Sequence, residues 1–319
     1  MKISVLGCGR WGSFIGWYLS NLGHEVYQWG TEGHYSFDVL KNTGGNEYVK
    51  LNPKIHLTSN LGEAVEHAEI IVISISAQSL SDFMKDVLKF DTTGKKFVLC
   101  MKGVEIATGK RLSEVVVDSG VSKDDVAVWV GPGHIQDFVK GLPNCMVIDA
   151  YNPDLVKYLA DNFRSDLIRF YYGDDIIGSE IGAAAKNVMG IAAGMLDGGG
   201  YTTLKGPLMA RGAREVSRLI KAMGGNELSA YGLCHLGDYE TTLFSDFSNN
   251  RRYGISYVKK EKFPKLAEGV ATSKALKMLG EKYGVDMPIT NAVYDILYNG
   301  KEPMQAFLSV FSRSTRKEF

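Results

Sequence analysis

Three glycines near the start of the chain have the spacing of a phosphate-binding loop. Gly7, Gly9 and Gly12 form the pattern G-x-G-x-x-G directly after an apolar run of strand type, and they open a segment of helical character. In such a loop the first glycine permits a tight turn, the second lets the backbone approach a pyrophosphate, and the third allows close helix–strand packing. The N–H groups at the helix start then face the phosphates. This context predicts a bound dinucleotide, and the alternative is a glycine-rich turn that only packs.

The choice between the two nicotinamide cofactors depends on the end of the second predicted strand. An acidic residue at that point favours NAD, because it binds the ribose hydroxyl. Glu32 is acidic but lies two residues beyond the usual position, and no arginine is there to bind a 2′-phosphate. We therefore expect NAD or NADP without choosing between them. Arg10, inside the glycine loop, could reach the cofactor phosphates.

Lys186 is the best candidate for catalysis in the second half of the chain. It lies within Ile181–Gly190, which should be a largely buried helix. Small residues such as Gly182, Ala183 and Gly190 surround it at offsets of three and four positions. Burying a lysine without a partner is costly, and small neighbours would leave room for a ligand. The alternative is a lysine whose ammonium reaches solvent from an ordinary packed helix, but a catalytic lysine is the favoured interpretation.

A lysine is chemically suited to carbonyl reduction. When protonated it donates to the carbonyl oxygen as a hydride arrives, and when neutral it accepts the alcohol proton in the reverse direction. An unperturbed lysine has a pKa near ~10.4, and desolvation or a second cation would lower that pKa. Lys102, just after a predicted strand, is the expected second cation, although it could equally be a solvated loop lysine.

The elements that must position these residues change character along the chain. Through the first half, short β-branched runs alternate with amphipathic segments, which is typical of a doubly wound, mostly parallel α/β sheet of the Rossmann type. The predicted strands are Ile3–Leu6, Glu25–Trp29, Ile70–Ile75, Phe97–Met101, Val126–Val130 and Cys145–Ile148. The predicted helices among them include Trp11–Leu22, Ser79–Leu88 and Lys110–Ser119.

Strand signals almost disappear after residue 175. The stretch Ser179–Met223 is rich in Ala, Gly, Met and Leu. Further helices are predicted at Glu227–Cys234, Phe263–Tyr283 and Thr290–Tyr298. We therefore predict a Rossmann domain over residues 1–175 and an all-α domain over residues 176–319 that completes the substrate site.

The composition and the apolar runs of the chain argue against several classes of protein. The 319 residues carry 36 Lys plus Arg and 36 Asp plus Glu, so the formal net charge is zero. A general nucleic-acid or membrane-surface binder would usually be basic. The start of the chain has no secretory signal, and no apolar run has the length needed to span a membrane. We expect a cytoplasmic protein that acts on a small molecule, binds no nucleic acid and inserts into no membrane.

The cysteines point neither to disulfides nor to a metal. None of the four has C-x-x-C spacing, so we interpret them as free thiols in a reducing compartment. The adjacent pair Cys234-His235 could suggest zinc, but two neighbouring ligands without a second pair are poor evidence. We predict no metal site.

Several separate motifs occur in the order in which one enzyme family carries them. The chain resembles bacterial NAD(P)-dependent glycerol-3-phosphate dehydrogenase from end to end. The matching segments are Gly7–Gly12 with Trp11, Lys102-Gly103, Gly131–Gly133, Gly182–Gly190 around Lys186, Gly237-Asp238, Asn250–Gly254, Glu268–Val270 and Gly284–Thr290.

This resemblance implies a Rossmann domain followed by an all-helical domain, usually as a homodimer. It also implies the reduction of dihydroxyacetone phosphate by NADH or NADPH to sn-glycerol 3-phosphate, which feeds phospholipid synthesis. Lys186 would be the general acid and base, Lys102 would contact substrate and cofactor, and Asp238 would hold Lys186 or a substrate hydroxyl.

The resemblance also assigns binding residues. The cofactor would contact Gly7, Gly9, Trp11, Gly12, Lys102, Gly131, Ile135 and Glu268. Arg10 replaces a small residue of the family's glycine loop and is a further candidate for the cofactor phosphates. The substrate would contact Lys102, Gly131, Gly133, Lys186, Asp238, Ser248, Asn249 and Asn250.

Two departures from the family pattern concern the substrate. The family usually has serine where this chain has Gly133, and arginine where it has Asn249. Losing a guanidinium that binds phosphate is not a conservative change. Arg251 or Arg252 could take over from a shifted loop, or they could be a solvated basic pair at a helix start.

These departures leave three functional hypotheses. The first is the family's own reaction. The second is a paralogue that reduces another small phosphorylated or acidic ketone. The third is a cofactor-binding sensor without turnover, against which the intact Lys186, Lys102 and Asp238 argue.

Overall fold

The computed structural model of the protein describes residues 1–314 and 317–318. The chain divides into two compact units. The first consists of Met1–Lys102 and Lys110–Glu180, and the second of Gly103–Gly109 and Ile181–Phe319. The domain division after residue 175 stays a prediction from the sequence. The short segment Gly103–Gly109, which that prediction placed in the first domain, belongs to the second compact unit.

An eight-stranded sheet forms the centre of the first unit. Its strands in chain order are β1 (Lys2–Leu6), β2 (Glu25–Trp29), β3 (His56–Thr58), β4 (Ile70–Ile73), β5 (Lys96–Leu99), β6 (Val126–Val130), β7 (Asn144–Ala150) and β8 (Ile168–Tyr172). They lie in the order β3-β2-β1-β4-β5-β6-β7-β8. Neighbours are parallel except for the antiparallel pair β6 and β7. The strand order reverses beside β1, so the glycine loop begins at the switch point where ligands of such sheets bind.

Helices connect the strands of this unit. They are α1 (Arg10–Asn21), α2 (Tyr35–Thr43), α3 (Leu61–His67), α4 (Leu80–Val87), α5 (Leu112–Asp118), α6 (Ile135–Val139) and α7 (Pro153–Phe163). Every residue of β4 and of β6 is buried. Strands buried on both faces are expected when helices cover both sides of a parallel sheet, and this explains why these two strands are apolar throughout.

The second unit is built from helices. They are α8 (Ile176–Gly198), α9 (Lys205–Ala222), α10 (Asn249–Val258), α11 (Glu268–Lys282), α12 (Pro288–Asn299) and α13 (Pro303–Phe311). The division between the units falls inside α8. A short 3₁₀ turn, Leu236–Asp238, and a π-helical turn, Glu240–Phe244, precede α10. Across the described residues, no helix combines the length and the apolar character needed to cross a membrane.

Glycines let α8 and α10 pack with their backbones close together. A Cβ atom at Gly194 would lie 2.0 Å from the carbonyl oxygen of Arg251, and one at Gly254 would lie 2.3 Å from that of Ile191. Both distances are far below van der Waals contact, so any side chain at either position would push the helices apart. The small residues of α8 therefore serve helix packing.

The predicted fold class is confirmed, and most predicted strands and helices occur within about two residues of their expected bounds. The predictions for β2 and β6 match the observed residues. Two helices were predicted too long. Only Glu227–Tyr231 is helical within Glu227–Cys234, as a 3₁₀ turn, because Gly232 adopts an extended conformation. The helix predicted from Phe263 begins at Glu268, and Pro264 disfavours a helical conformation of the residue before it.

Some elements were not predicted at all. Strand β3 has only three residues, and β8 lies at the sheet edge with the exposed side chains of Arg169, Tyr171 and Tyr172. Neither has the continuous apolar run that marks a buried strand. Both were therefore missed in the sequence.

Candidate active site

The glycine loop of the first unit has the backbone geometry that its sequence predicts. Gly7 has φ +127°, and a Cβ atom there would lie 2.1 Å from the carbonyl oxygen of Ser74. A Cβ atom at Gly12 would lie 2.1 Å from the carbonyl oxygen of Gly7. Two of the three glycines are thus required by close backbone contacts between the loop, α1 and the end of β4.

Gly9 differs from the other two glycines because the space beside it is open. It is the N-cap of α1. Among the residues that the structure describes, no side chain caps that helix start and no other atom lies within 4 Å of a Cβ built at Gly9. The first turn of α1 contains no acidic residue. Backbone N–H groups at such a helix start bind phosphates. The loop therefore fits the pyrophosphate of a dinucleotide.

Arg10 and Trp11 follow Gly9 at the start of α1. An Arg10 guanidinium nitrogen donates to Oε1 of Gln136 at 3.0 Å, and the guanidinium carbon lies 5.1 Å from the centre of the Tyr48 ring. The indole N–H of Trp11 is buried and has no hydrogen-bond partner within the described part of the chain. A buried donor without an acceptor is unusual, and a bound cofactor could supply one.

Lys102 and Gly131, both predicted site residues, lie together in the first unit. The Lys102 ammonium donates to the Gly131 carbonyl oxygen at 2.8 Å. This contact joins the loop after β5 to the loop after β6. Ile135 begins α6 with its side chain in the hydrophobic core, so a contact between that side chain and the cofactor remains a prediction.

Glu32 is exposed and already bonded to neighbouring side chains. Its carboxylate accepts from the Lys41 ammonium at 3.0 Å and from the Ser59 hydroxyl at 2.8 Å. These hydrogen bonds lower the pKa of Glu32. The position carries both a carboxylate and an ammonium, so its charges do not decide between NAD and NADP.

Lys186 of the second unit makes a compact polar cluster. Its ammonium lies 2.8 Å from Oδ2 of Asp238 and donates to the Thr242 hydroxyl at 2.9 Å. The Thr241 hydroxyl donates to the other carboxylate oxygen of Asp238. The side chain of Asp238 is 1% exposed and that of Lys186 is 12% exposed. The lysine is therefore charge-paired and nearly buried, as an acid–base catalyst would be.

Two different turns bring the partners of Lys186 into place. Asp238 ends the 3₁₀ turn, and Thr241 and Thr242 lie in the π-helical turn that follows. π-Helical turns are rare and frequently occur at functional sites. The sequence analysis identified Asp238 but missed both threonines. Their closeness to Asp238 in the chain was a usable signal, but no regular periodicity predicts a π-helical turn.

The small residues around Lys186 have a different role from the predicted one. A Cβ atom at Gly190 would lie 2.8 Å from the Thr242 methyl group, and one at Gly182 would lie 3.1 Å from Cβ of His235. Protein segments, rather than a ligand, occupy the space beside both glycines. The expectation that these glycines leave room for a ligand is therefore wrong; they let the segment that carries Asp238 and Thr242 approach Lys186.

The predicted substrate residues around the start of α10 have defined roles in the second unit. Ser248 is the N-cap of α10 and accepts from the Arg251 N–H. The Asn250 amide donates to Oδ1 of Asn187 at 2.9 Å and accepts from the Gly269 N–H at the same distance. Asn187, which the sequence analysis missed, keeps a buried amide nitrogen without a partner among the described residues.

Known proteins match the chain along nearly its whole length. The family models for the N-terminal and C-terminal parts of NAD-dependent glycerol-3-phosphate dehydrogenase match residues 2–156 and 175–308. The chain belongs to this family. Its members are NAD(P)-dependent oxidoreductases with a Rossmann domain.

Individual family members cover this chain almost completely. A protein of Thermoanaerobacter sp. named glycerol-3-phosphate dehydrogenase [NAD(P)+] is 33% identical over 330 residues, covering 100% of this chain and 99% of the relative. A protein of the same name from Moorella thermoacetica is 36% identical over 312 residues, covering 94% of this chain and 92% of the relative. The crystal structure of glycerol-3-phosphate dehydrogenase from Coxiella burnetii has a TM-score of 0.89 at 25% identity, covering 98% of both chains.

The departures from the glycerol-3-phosphate dehydrogenase pattern can now be placed. Asn249 is the first residue of α10 and is half-buried. Arg251 is held by Asp197 at 2.7 Å and by Asp246 at 2.8 Å. The Arg252 guanidinium is exposed and lies over the Phe263 ring at 5.6 Å. Two carboxylates already engage Arg251, which weakens the expectation that it replaces the missing arginine.

Proposed function

We propose that this protein reduces dihydroxyacetone phosphate to sn-glycerol 3-phosphate with NADH or NADPH, in a reversible reaction. The observation that supports this most strongly is the Lys186 ammonium, 2.8 Å from Asp238 and 2.9 Å from Thr242, in a chain of the glycerol-3-phosphate dehydrogenase family. A buried lysine with its own carboxylate is a suitable proton donor for a carbonyl oxygen.

Each group in the reaction has a separate task. The nicotinamide, when bound, supplies the hydride to the carbonyl carbon. Lys186 donates a proton to the carbonyl oxygen during reduction and recovers it from the alcohol during oxidation. Asp238 and Thr242 hold the ammonium in one orientation, and Asp238 stabilises its positive charge.

The remaining binding residues follow the family resemblance, except Arg10, which is proposed from its place in the glycine loop. The glycine loop with Arg10 and Trp11 would hold the cofactor, together with Lys102, Ile135 and Glu268. Lys102, Gly131, Gly133, Ser248, Asn249 and Asn250 would contact the substrate. The Lys102–Gly131 hydrogen bond supports a shared role for these two residues.

A steady-state assay of dihydroxyacetone phosphate with NADH and NADPH in parallel tests the proposal. Lys186→Ala should lower kcat by about 10²- to 10⁴-fold, the usual contribution of a general acid, while the Kd for the reduced cofactor stays unchanged. Lys274→Ala, which removes an exposed lysine of α11 in the same unit, is the matched control and should have wild-type kcat. Wild-type protein that binds cofactor but does not turn over this substrate would contradict the proposal.

A second candidate, reduction of another small phosphorylated or acidic ketone, is favoured by Gly133 and Asn249. A panel of ketones decides between the two candidates, and the second fails if dihydroxyacetone phosphate is preferred by orders of magnitude. Asn249→Arg adds the guanidinium that the family usually has. A sharply lower KM for dihydroxyacetone phosphate in this variant would mean that the native site was not built for that phosphate.

We further propose a cytoplasmic homodimer that supplies phospholipid synthesis, as the family resemblance implies. The buried Cys8, Cys100 and Cys234 are free thiols, which supports a reducing compartment. Light scattering of the purified protein tests the oligomeric state, and a mass of one chain would contradict it.

A further inference from the structure

Two fully buried polar residues flank Asp238 and have no place in the proposed reaction. His235 and Tyr239 each have 0% exposure. They lie three residues before and one residue after Asp238, on the segment that brings the carboxylate to Lys186. Buried polar side chains are usually retained with hydrogen bonds that specify one arrangement of the surrounding groups.

Both ring nitrogens of His235 are engaged within the second unit. Nδ1 lies 2.9 Å from the Gly182 carbonyl oxygen, and Nε2 lies 2.7 Å from the Tyr239 hydroxyl. A carbonyl oxygen can only accept, so Nδ1 must carry the proton and Nε2 must accept from Tyr239. Burial lowers the pKa of His235 to about 4, which keeps this ring neutral near pH 7.

The carbonyl that His235 binds belongs to the helical turn of the proposed catalytic lysine. Gly182 precedes Lys186 by four residues on α8, the spacing of one intrahelical hydrogen bond. A Cβ atom at Gly182 would lie only 3.1 Å from Cβ of His235, so the glycine permits the close approach. The hydrogen bond from His235 to Gly182 therefore joins the segment that carries Asp238 to the turn of α8 that precedes Lys186.

Tyr239 connects the same ring to a second helix. A Cβ atom at Gly212 of α9 would lie 3.1 Å from the Tyr239 hydroxyl oxygen. The Tyr239 ring packs edge-on against the His235 ring, with their centres 4.8 Å apart. These contacts hold the imidazole in one orientation and one tautomer.

We propose that His235 is a positioning residue. By donating to the Gly182 carbonyl oxygen, it sets the separation of the Lys186 ammonium and the Asp238 carboxylate, and the Tyr239 hydroxyl fixes the tautomer of the His235 ring. The effect on turnover rests on the proposed function, but the effect on Lys186 itself does not. The competing explanation is that both residues only fill the core.

Two polar substitutions separate these explanations. His235→Asn keeps an amide N–H near the position of Nδ1 and can still donate to Gly182, whereas His235→Gln places its amide near Nε2 and cannot. Both lose the imidazole and leave a polar group in the core. Tyr239→Phe removes only the hydroxyl that donates to Nε2.

The experiment measures kcat, KM, the pH profile of kcat and the reactivity of Lys186. H235Q should lower kcat for dihydroxyacetone phosphate about tenfold and Y239F about threefold, whereas H235N should lower it at most about threefold, since small misplacements of a catalytic group are costly. KM and cofactor Kd should change less than about twofold. The alkaline limb of the reductive kcat profile should move to lower pH in H235Q, because a loosened Asp238 stabilises the ammonium less.

Amine labelling of Lys186, followed by peptide mass spectrometry, needs no substrate. The Lys186 peptide should be labelled faster in H235Q than in H235N or wild type, with the exposed Lys274 peptide as the internal reference.

Equal effects of H235Q and H235N on kcat and labelling would overturn the proposal, as would wild-type behaviour of H235Q. Faster labelling in H235Q without any wild-type turnover would overturn the proposed reaction and leave the positioning role intact. Should H235Q fail to fold, Y239F decides. Without the hydroxyl that donates to Nε2, the ring can adopt the tautomer that does not donate to Gly182, so unchanged kcat and unchanged Lys186 labelling in Y239F would overturn the proposal.

Discussion

The ring of Phe138 fills the space in which a side chain at Gly133 would begin. A Cβ atom at Gly133 would lie 2.3 Å from Cε2 of that ring, and Gly133 has φ +151°. The ring also stacks on Phe14, with centres 5.0 Å apart, and lies 6.5 Å from Trp11. The glycine and the aromatic cluster therefore depend on each other, and the serine usual in the family would not fit here without moving Phe138.

This relationship predicts a strong coupling between substitutions at the two positions. Gly133→Ser alone should be destabilising, because the new side chain overlaps a packed ring. In a Phe138→Ala background the same change should cost less, giving a coupling free energy of about 1–3 kcal/mol in a double-mutant cycle. Urea unfolding of the four proteins measures it. Equal costs of Gly133→Ser in both backgrounds would show that the ring is not the obstacle.

The ion pair of Lys186 with Asp238 predicts a large effect of a small change. Asp238→Asn keeps the shape but removes the charge that holds the ammonium, so kcat should fall by about 10²-fold. Asp246→Asn is the matched control, since Asp246 also pairs with a cation of the same unit, Arg251, but its side chain is 95% exposed. Asp246→Asn should keep kcat within about twofold of wild type. Similar losses in both variants would argue against a specific role for Asp238.

A second buried ion pair predicts an effect on stability. The Glu180 carboxylate accepts from Arg111 at 2.6 Å and from the N–H and hydroxyl of Ser113, with Arg111 and Glu180 only 4% and 5% exposed. Glu180→Gln leaves the buried guanidinium with only the half-exposed Glu114 carboxylate, at 3.2 Å, as a countercharge. It should lower the free energy of unfolding by about 3 kcal/mol, the lower end of the range for breaking a buried pair.

Asp82→Asn provides the control for that experiment. Asp82 pairs with Lys85 at 2.7 Å, but both side chains are well exposed. Removing this charge should leave the denaturant midpoint unchanged, because exposed ion pairs contribute little. A midpoint for Glu180→Gln equal to that of Asp82→Asn would mean that the buried pair does not stabilise the fold.

The buried imidazole of His235 predicts a pH dependence of stability. In the unfolded chain this group binds a proton below pH 6.5, but in the folded protein its pKa is about 4 because burial disfavours the charged form. Protons therefore favour the unfolded state between pH 6.5 and 4, and wild type should lose about 3 kcal/mol relative to His235→Asn over that range. Above pH 6.5 the difference between the two proteins should be constant.

Chemical denaturation at a series of pH values measures this difference. Asp149 and Glu215 are also buried, with pKa values raised to about 6 and about 7, and their titration acts in the opposite direction. Both are present in wild type and variant, so their contributions cancel in the comparison. If the difference in unfolding free energy between wild type and His235→Asn stays constant from pH 7 to pH 4, His235 takes up its proton at the same pH in the folded protein as in the unfolded chain.

Local chain chemistry explains which parts of the molecule could be predicted. The glycine loop, β2 and β6 follow from residues close together in the sequence. A tight turn needs glycine, the fully buried β6 needs apolar residues throughout, and β2 alternates buried with more exposed residues. The short β3 and the edge strand β8 could not be predicted, because neither has an apolar run of its own: β3 has only three residues, and β8 exposes Arg169, Tyr171 and Tyr172. The helix expected from Phe263 failed at Pro264.

The sequence by itself determined the Rossmann fold class, the dinucleotide loop, the candidacy of Lys186 and Asp238, and the family to which the chain belongs. Only the tertiary structure decided what surrounds Lys186. The π-helical turn places the Thr242 hydroxyl within hydrogen-bond distance of the ammonium. The side chains of His235 and Thr242 occupy the space beside Gly182 and Gly190 of α8. The physical reason is that side-chain contacts between segments tens of residues apart depend on how closely their backbones pack, and a single residue's type does not specify which neighbour fills the space beside it.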